Sequence, residues 1–206
     1  MNYDLADKAI MDMNRRNLRA FDGLKLLKFD ELNVLRSVSK VYDNSYRIAK
    51  RRFLQIAYDA YMEALILTGK SNEEAKKLAE DNITEDWVLD MLEDYDALAL
   101  YRFDNEVERK KQRTAEAILA SNDKSEEIDK ALKAWTVQVS QFADNSVMYA
   151  TIDGYEKAGI KKVKWVAEKD DRVCKTCRKL DGKIFQTNKI PPVPHFHCRC
   201  ILEPVK

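Results

Sequence analysis

Apolar residues recur every three or four positions along most of this chain, the spacing that lays a stripe down one side of an α-helix. The longest such run steps through Leu32, Leu35, Val38, Tyr42, Ser45, Ala49, Phe53, Ile56, Ala60, Ala64 and Leu67. Asp30 stands where an N-cap carboxylate would accept the first unpaired amide hydrogens, and Gly69 where a left-handed C′ residue would close the helix. At about 1.5 Å per residue the helix would be about 55 Å long. That exceeds the diameter of a compact domain of this size, so part of it must lie against other helices or another protein.

Shorter runs flank it. A first helix is expected from Asp4 to Phe21, ending near Gly23, with Leu5, Ile10, Met13 and Leu18 among its apolar residues. Ser71 and Glu74 have capping-box spacing and open a helix to about Asn82. Thr84 caps a segment carrying Trp87, Met91, Tyr95 and Leu98, and Tyr101, Arg102 and Phe103 read as an extended break. Asn105 with Glu108 starts a helix to about Ala120, and Ser121, Asn122 and Asp123 form a polar linker. A last helix, from about Ser125 to Lys157, places Ile128, Leu132, Trp135, Val139, Phe142, Ser146 and Tyr149 on one face, and Gly159 closes it.

Beyond Gly159 the period changes. Val163, Trp165 and Ala167 alternate with other residues, as a strand requires. Leu180 to Lys183 contains an Asp-Gly turn, and Ile184 and Phe185 read as a returning strand. Pro191, Pro192 and Pro194 force an extended approach to the next segment, because proline fixes its own φ and restricts its predecessor. Composition sharpens the same boundary. Residues 1–158 contain no proline and only three glycines, whereas all four prolines, all four cysteines and both histidines fall within residues 171–206. The pattern therefore predicts a mainly α protein: an elongated helical body over residues 1–159, and a small C-terminal α+β zinc-binding module over residues 160–206.

The candidate chemistry lies in that module. Cys174 and Cys177 form a C-x2-C pair, and 17 residues separate Cys177 from the cluster His195, His197, Cys198 and Cys200. Such half-sites, joined by a loop of this length, suit a tetrahedral zinc ion. A module this small cannot bury enough apolar surface to offset backbone ordering, and a structural zinc ion would supply roughly 10 kcal/mol or more of folding free energy. Six side chains compete for about four places. Cys174 and Cys177 form one half-site, and Cys198 with either His195 or Cys200 forms the other. Two disulfides or unligated thiols are the competing readings; a Cys198–Cys200 bridge would be strained, and nothing in the chain points to export.

Charge adds a second asymmetry. Residues 161–206 hold 12 Lys and Arg against 5 Asp and Glu, a balance of +7, and residues 1–160 hold 24 against 30, a balance of −6. A basic tail can lie against DNA phosphates, and a solvated surface would look the same. Within the long helix Arg47, Lys50, Arg51 and Arg52 form the one basic cluster. No apolar run is long enough to span a bilayer and no leader is evident, so a protein made in a cytoplasm is expected. Catalytic signatures are missing. The scattered glycines form no phosphate loop, no histidine lies outside the metal cluster to serve a hydrolase triad, and a deaminase H-x-E with P-C-x-x-C is absent.

The run Trp165, Asp170, Asp171, Arg172, Val173, Cys174, Cys177, Leu180, Asp181, Gly182, Lys183 and Phe185, then Pro191, Pro192, His195, Cys198, Arg199 and Cys200, resembles the C-terminal domain of phage head-morphogenesis proteins, the Mu F-like minor head proteins. Tyr101, Arg102, Phe103, Glu106, Glu108, Arg109, Lys110, Arg113 and Glu116 also resemble the helical part of phage minor capsid proteins. The resemblance implies a non-enzymatic structural protein of the virion. It would be present in few copies, or as an oligomer, beside the portal protein and the major capsid protein, and would act in head assembly and in DNA packaging, retention or exit. The residues leave two rivals open. One is a zinc-stabilised HNH-like nuclease using His197, and the other is a zinc-ribbon adaptor for nucleic acid.

Overall fold

The computed structural model describes residues 3–94, 103–168, 173–191 and 198–205. Among these residues the chain forms seven helices and one small sheet. The helices are α1 (Asp4–Leu24), α2 (Glu31–Leu67), α3 (Asn72–Asn82), α4 (Glu85–Asp94), α5 (Phe103–Ala120), α6 (Lys124–Lys157) and α7 (Lys175–Leu180). The strands are β1 (Lys162–Val166), β2 (Ile184–Gln186) and β3 (Ile201–Val205), in the antiparallel order β2-β1-β3. The protein is mainly helical with a small C-terminal sheet, as the periodicity predicts. None of the described helices is long and apolar enough to cross a membrane.

Local signals set the helix ends. The Asp30 carboxylate accepts the Asn33 amide hydrogen at 3.0 Å and starts α2. Ser71 and Glu74 form a complete capping box on α3. Asp123 caps α6 by accepting from the Glu126 amide at 2.9 Å. Both long helices end in the same way: at Gly69 and Gly159, φ is +101° and +80°, and paired amide hydrogen bonds turn the chain back on the last carbonyls. The fifth helix begins at Phe103, two residues earlier than its Asn105 cap signal implies. Tyr95, Leu98, Tyr101 and Arg102 lie outside the described residues.

Helices α1, α2, α5 and α6 pack into one core. Tyr42 is at its centre, with the Phe21 ring edge-on at 5.3 Å and the Trp135 ring edge-on at 5.2 Å. Its hydroxyl meets the Thr114 hydroxyl at 3.0 Å. Ser45 belongs to the predicted stripe for a polar reason: it accepts the Trp135 indole hydrogen and donates to Asn17. Helices α2 and α6 approach closely at Gly154, where an added Cβ would sit 2.8 Å from the Ala64 Cβ and 3.0 Å from the Tyr61 carbonyl oxygen.

Several predicted core positions lie outside. Leu5, Leu18, Leu32, Leu35 and Leu67 are exposed, while Ala6, Asn17 and Phe21 of α1 and Val34 of α2 are buried. The last helix has more than one buried face. From Val139 to Met148 every residue of α6 is buried, including Ser140, Gln141, Asp144, Asn145 and Ser146. Leu132 and Tyr149 are only half-buried. Internal hydrogen bonds offset part of the cost, with Gln141 donating to Asn145 at 2.7 Å and Ser146 to the Phe142 carbonyl at 2.8 Å, while the Asn145 Nδ2 stays buried without a partner among the described residues.

Candidate metal centre

The C-terminal sheet is built around Trp165, which is fully buried near the C-terminal end of β1. Its main-chain amide donates to the Lys183 carbonyl, and its carbonyl accepts from Gly182, both at 2.8 Å. The Asp181 carboxylate accepts the Ala167 amide hydrogen at 2.9 Å. The Asp-Gly turn is thus bonded to the strand it must face, and this sets β2 in register beside β1.

The first Cys half-site sits at the start of α7. Cys174 is the N-cap residue, and its sulfur accepts the Cys177 amide hydrogen at 3.2 Å. Cys177, in the first turn, is 1% exposed. The second half-site precedes β3, where Cys198 and Cys200 are each 2% exposed. The sulfurs of Cys177, Cys198 and Cys200 all lie within 4.8 Å of one another, and those of Cys177 and Cys198 are 3.6 Å apart. Cys174 is half-buried beside them, outside that mutually close trio. All four cysteines are free thiols. His195 and His197 lie outside the described residues.

The trio has split acidities. Burial pushes the Cys177 thiol up to about 12, and the Cys174 side chain adds to the effect. Cys198 is raised further still, first because its proton is held by the Cys200 sulfur and then by burial. Cys200 falls to about 6, chiefly because Cys198 hydrogen-bonds to it, with the Trp165 indole and the Glu168 main chain acting in the same sense. The Trp165 indole nitrogen is buried with no hydrogen-bond partner among the described residues, and it favours the charged form of the Cys200 sulfur. Three convergent thiols, and amide and indole donors turned towards sulfur, fit a thiophilic cation, whose charge would favour the deprotonated form of each ligand.

This centre is embedded in the helical body. Ala64 of α2 and Met148 and Tyr155 of α6 share one buried cluster with Val163, Trp165, Cys177, Cys198, Cys200 and Leu202. The Tyr155 hydroxyl donates to the Leu202 carbonyl at 3.0 Å. From the opposite end of the chain, the Tyr3 hydroxyl donates to the Cys200 carbonyl, and Arg199 pairs with Asp7. Neither N-terminal residue carries a sequence signal for this role.

The profile of the family described as Phage Mu protein F like protein matches residues 55–203. That segment runs from the second half of α2 through the whole Cys cluster. No curated protein and no solved structure gives a significant match.

Proposed function

The chain belongs to the Phage Mu protein F like family, and from that premise we propose that this head-related structural protein acts at the portal vertex of a tailed-phage particle. It is present there in few copies, contacts the portal and major capsid proteins, and supports DNA packaging, retention or exit. The observation that carries the reading is the family match across 55–203, which takes in the C-terminal part of α2, all of α6 and the Cys cluster.

In this reading the two parts of the chain divide the work. The helices of residues 1–159 make the protein contacts, and residues 160–206 form a metal-stabilised anchor with a net charge of +7 available to DNA. The metal is a structural zinc ion. Cys177, Cys198 and Cys200 supply three thiolates, and Cys174, whose sulfur already borders Cys177, competes with His195 for the fourth place. Zinc would contribute charge neutralisation and cross-linking of the two half-sites. The protein holds the half-sites in place through α7 and β3.

The experiment is assembly of particles with and without this protein. Low-copy recovery in purified heads, with defective DNA-filled particles in its absence, is the expected result. DNA cleavage that is lost in His197→Ala while zinc is retained would make the protein a nuclease and overturn the proposal. Purification free of head components but bound to nucleic acid would make it an adaptor, with the same consequence.

A further inference from the structure

The basic cluster of α2 does not act as one unit. Arg52 turns towards α1 and bonds to Asp12 at 2.7 Å, and the Arg52 and Arg16 guanidinium groups hold that carboxyl below its usual range. Arg47, Lys50 and Arg51 turn instead towards α4. With Leu54 of α2 and Glu85, Val88 and Leu89 of α4 they line an open groove. Several other cations that face another element are paired there: Lys25 with Asp129, Lys111 with Asp43 and Arg199 with Asp7. The three groove cations form no ion pair with any described residue. Arg47 reaches only the Asn44 amide oxygen at 3.1 Å, and Lys50 lies 4.5 Å from the Tyr46 ring centre.

We propose that this groove is a docking surface for an acidic amphipathic helix of another protein. Arg47, Lys50 and Arg51 receive its carboxylates, and Leu54 and Leu89, above the buried Val88, receive its apolar anchors. Positions 47, 50, 51 and 54 share one face of α2, the i, i+3, i+4, i+7 set that matches the spacing of anchors on an opposed helix. Leu89, 37% exposed at the edge of the groove, is an apolar contact already facing water. A nucleic-acid backbone fits less well. It presents nothing apolar to cover Leu54 and Leu89. The three cations also span only about 6 Å of helix, too short to follow a phosphate track. The inference deepens the assembly reading above by naming the chemistry of a head partner.

The test is fluorescence anisotropy on the full chain with three probes. These are an 18-residue helical peptide with Leu at i, i+3 and i+7 flanked by Glu, the same peptide with Gln for Glu, and a 20-base-pair DNA duplex. The Glu peptide should bind saturably, and more tightly than the Gln peptide. Its binding should weaken at least tenfold in Arg47→Glu/Arg51→Glu and in Leu89→Asp, and hold in Arg36→Glu, an exposed α2 change outside the groove. These are exposed positions, and unchanged circular dichroism will certify each fold. Equal binding by the wild type and the groove variants would overturn the proposal. So would duplex binding that the groove variants alone lose, or a dimer of the chain that they dissolve. The peptide measurement needs no particle, so its failure removes the groove and leaves the head reading standing. Absence of the chain from purified heads would do the reverse.

Discussion

The Tyr3 hydroxyl donates to the Cys200 carbonyl oxygen at 3.2 Å, a contact between residues 197 positions apart. The Arg199 guanidinium lies 5.1 Å from the centre of the Tyr3 ring and also pairs with Asp7. The start of α1 therefore clasps the Cys cluster, and burial pushes the Tyr3 hydroxyl well above its ordinary pKa. Both N-terminal partners lie outside the segment matched by the family.

Tyr3→Phe removes the donor and leaves the buried Cys200 carbonyl without it, a loss of about 1–3 kcal/mol. In a chain of this length each kcal/mol shifts the thermal midpoint by about 2–4 °C. Asp7→Asn should cost less, at most about 1 kcal/mol, because its ion pair is 38–39% exposed and screened by solvent. Differential scanning calorimetry compares the two, and an unchanged midpoint in Tyr3→Phe would show that the clasp is not stabilising.

Two glycine-to-alanine changes should have opposite signs. At Gly154 the new methyl would meet the Ala64 Cβ at 2.8 Å and the Tyr61 carbonyl at 3.0 Å. Neither atom ends a flexible side chain, so α2 and α6 must separate, at about 1–3 kcal/mol, which outweighs the helix-propensity gain. At Gly23, near the end of α1, nothing lies within 4 Å of the added Cβ. There alanine should stabilise by about 0.5–1 kcal/mol. Urea midpoints would decide it, and a stabilised Gly154→Ala would contradict the close helix approach.

The Cys cluster should bind zinc and release protons as it does so. The Cys177 thiol, raised to about 12, is protonated at neutral pH until a cation displaces the proton. Affinity should therefore fall as pH falls. Cys198→Ser should lose bound metal by elemental analysis and weaken the near-ultraviolet signal of Trp165, with the core around Tyr42 and Trp135 remaining folded. Full zinc retention in Cys198→Ser would remove it from the ligand set.

Buried tyrosines set an alkaline limit. Burial raises Tyr42 to about 12, opposed by its Thr114 hydrogen bond, and burial also raises Tyr155 to about 12. A raised folded-state pKa means that the unfolded chain loses these protons first. The stability is thus fully present below about pH 10 and is lost as pH rises towards 12. Tyrosinate absorbance should climb together with loss of helical signal across that window. Ionisation complete near pH 10, with the helices intact, would show that these hydroxyls are open to water.

The sequence by itself determined whatever depends on a few adjacent residues. Asp30, Ser71 with Glu74, and Asp123 start helices because their side chains reach amides two or three residues ahead. Gly69 and Gly159 end helices because only glycine takes positive φ without strain. Cysteine spacing likewise located the candidate metal centre.

Tertiary structure decided which apolar residues are buried and which distant groups meet. Leu32 and Leu35 have helical spacing, yet the core takes Val34, because where α1 and α6 press against α2 is not written in the sequence of α2. Helix α7 spans only Lys175–Leu180, too short for a periodic signal. The third strand was hidden by Pro204, which is tolerated because β3 is an edge strand of the sheet. The convergence of Cys200 on Cys177, and of Tyr3 on Cys200, needs the sheet register and the packing of α1 together. Contacts across such sequence distances form only when the whole fold places them.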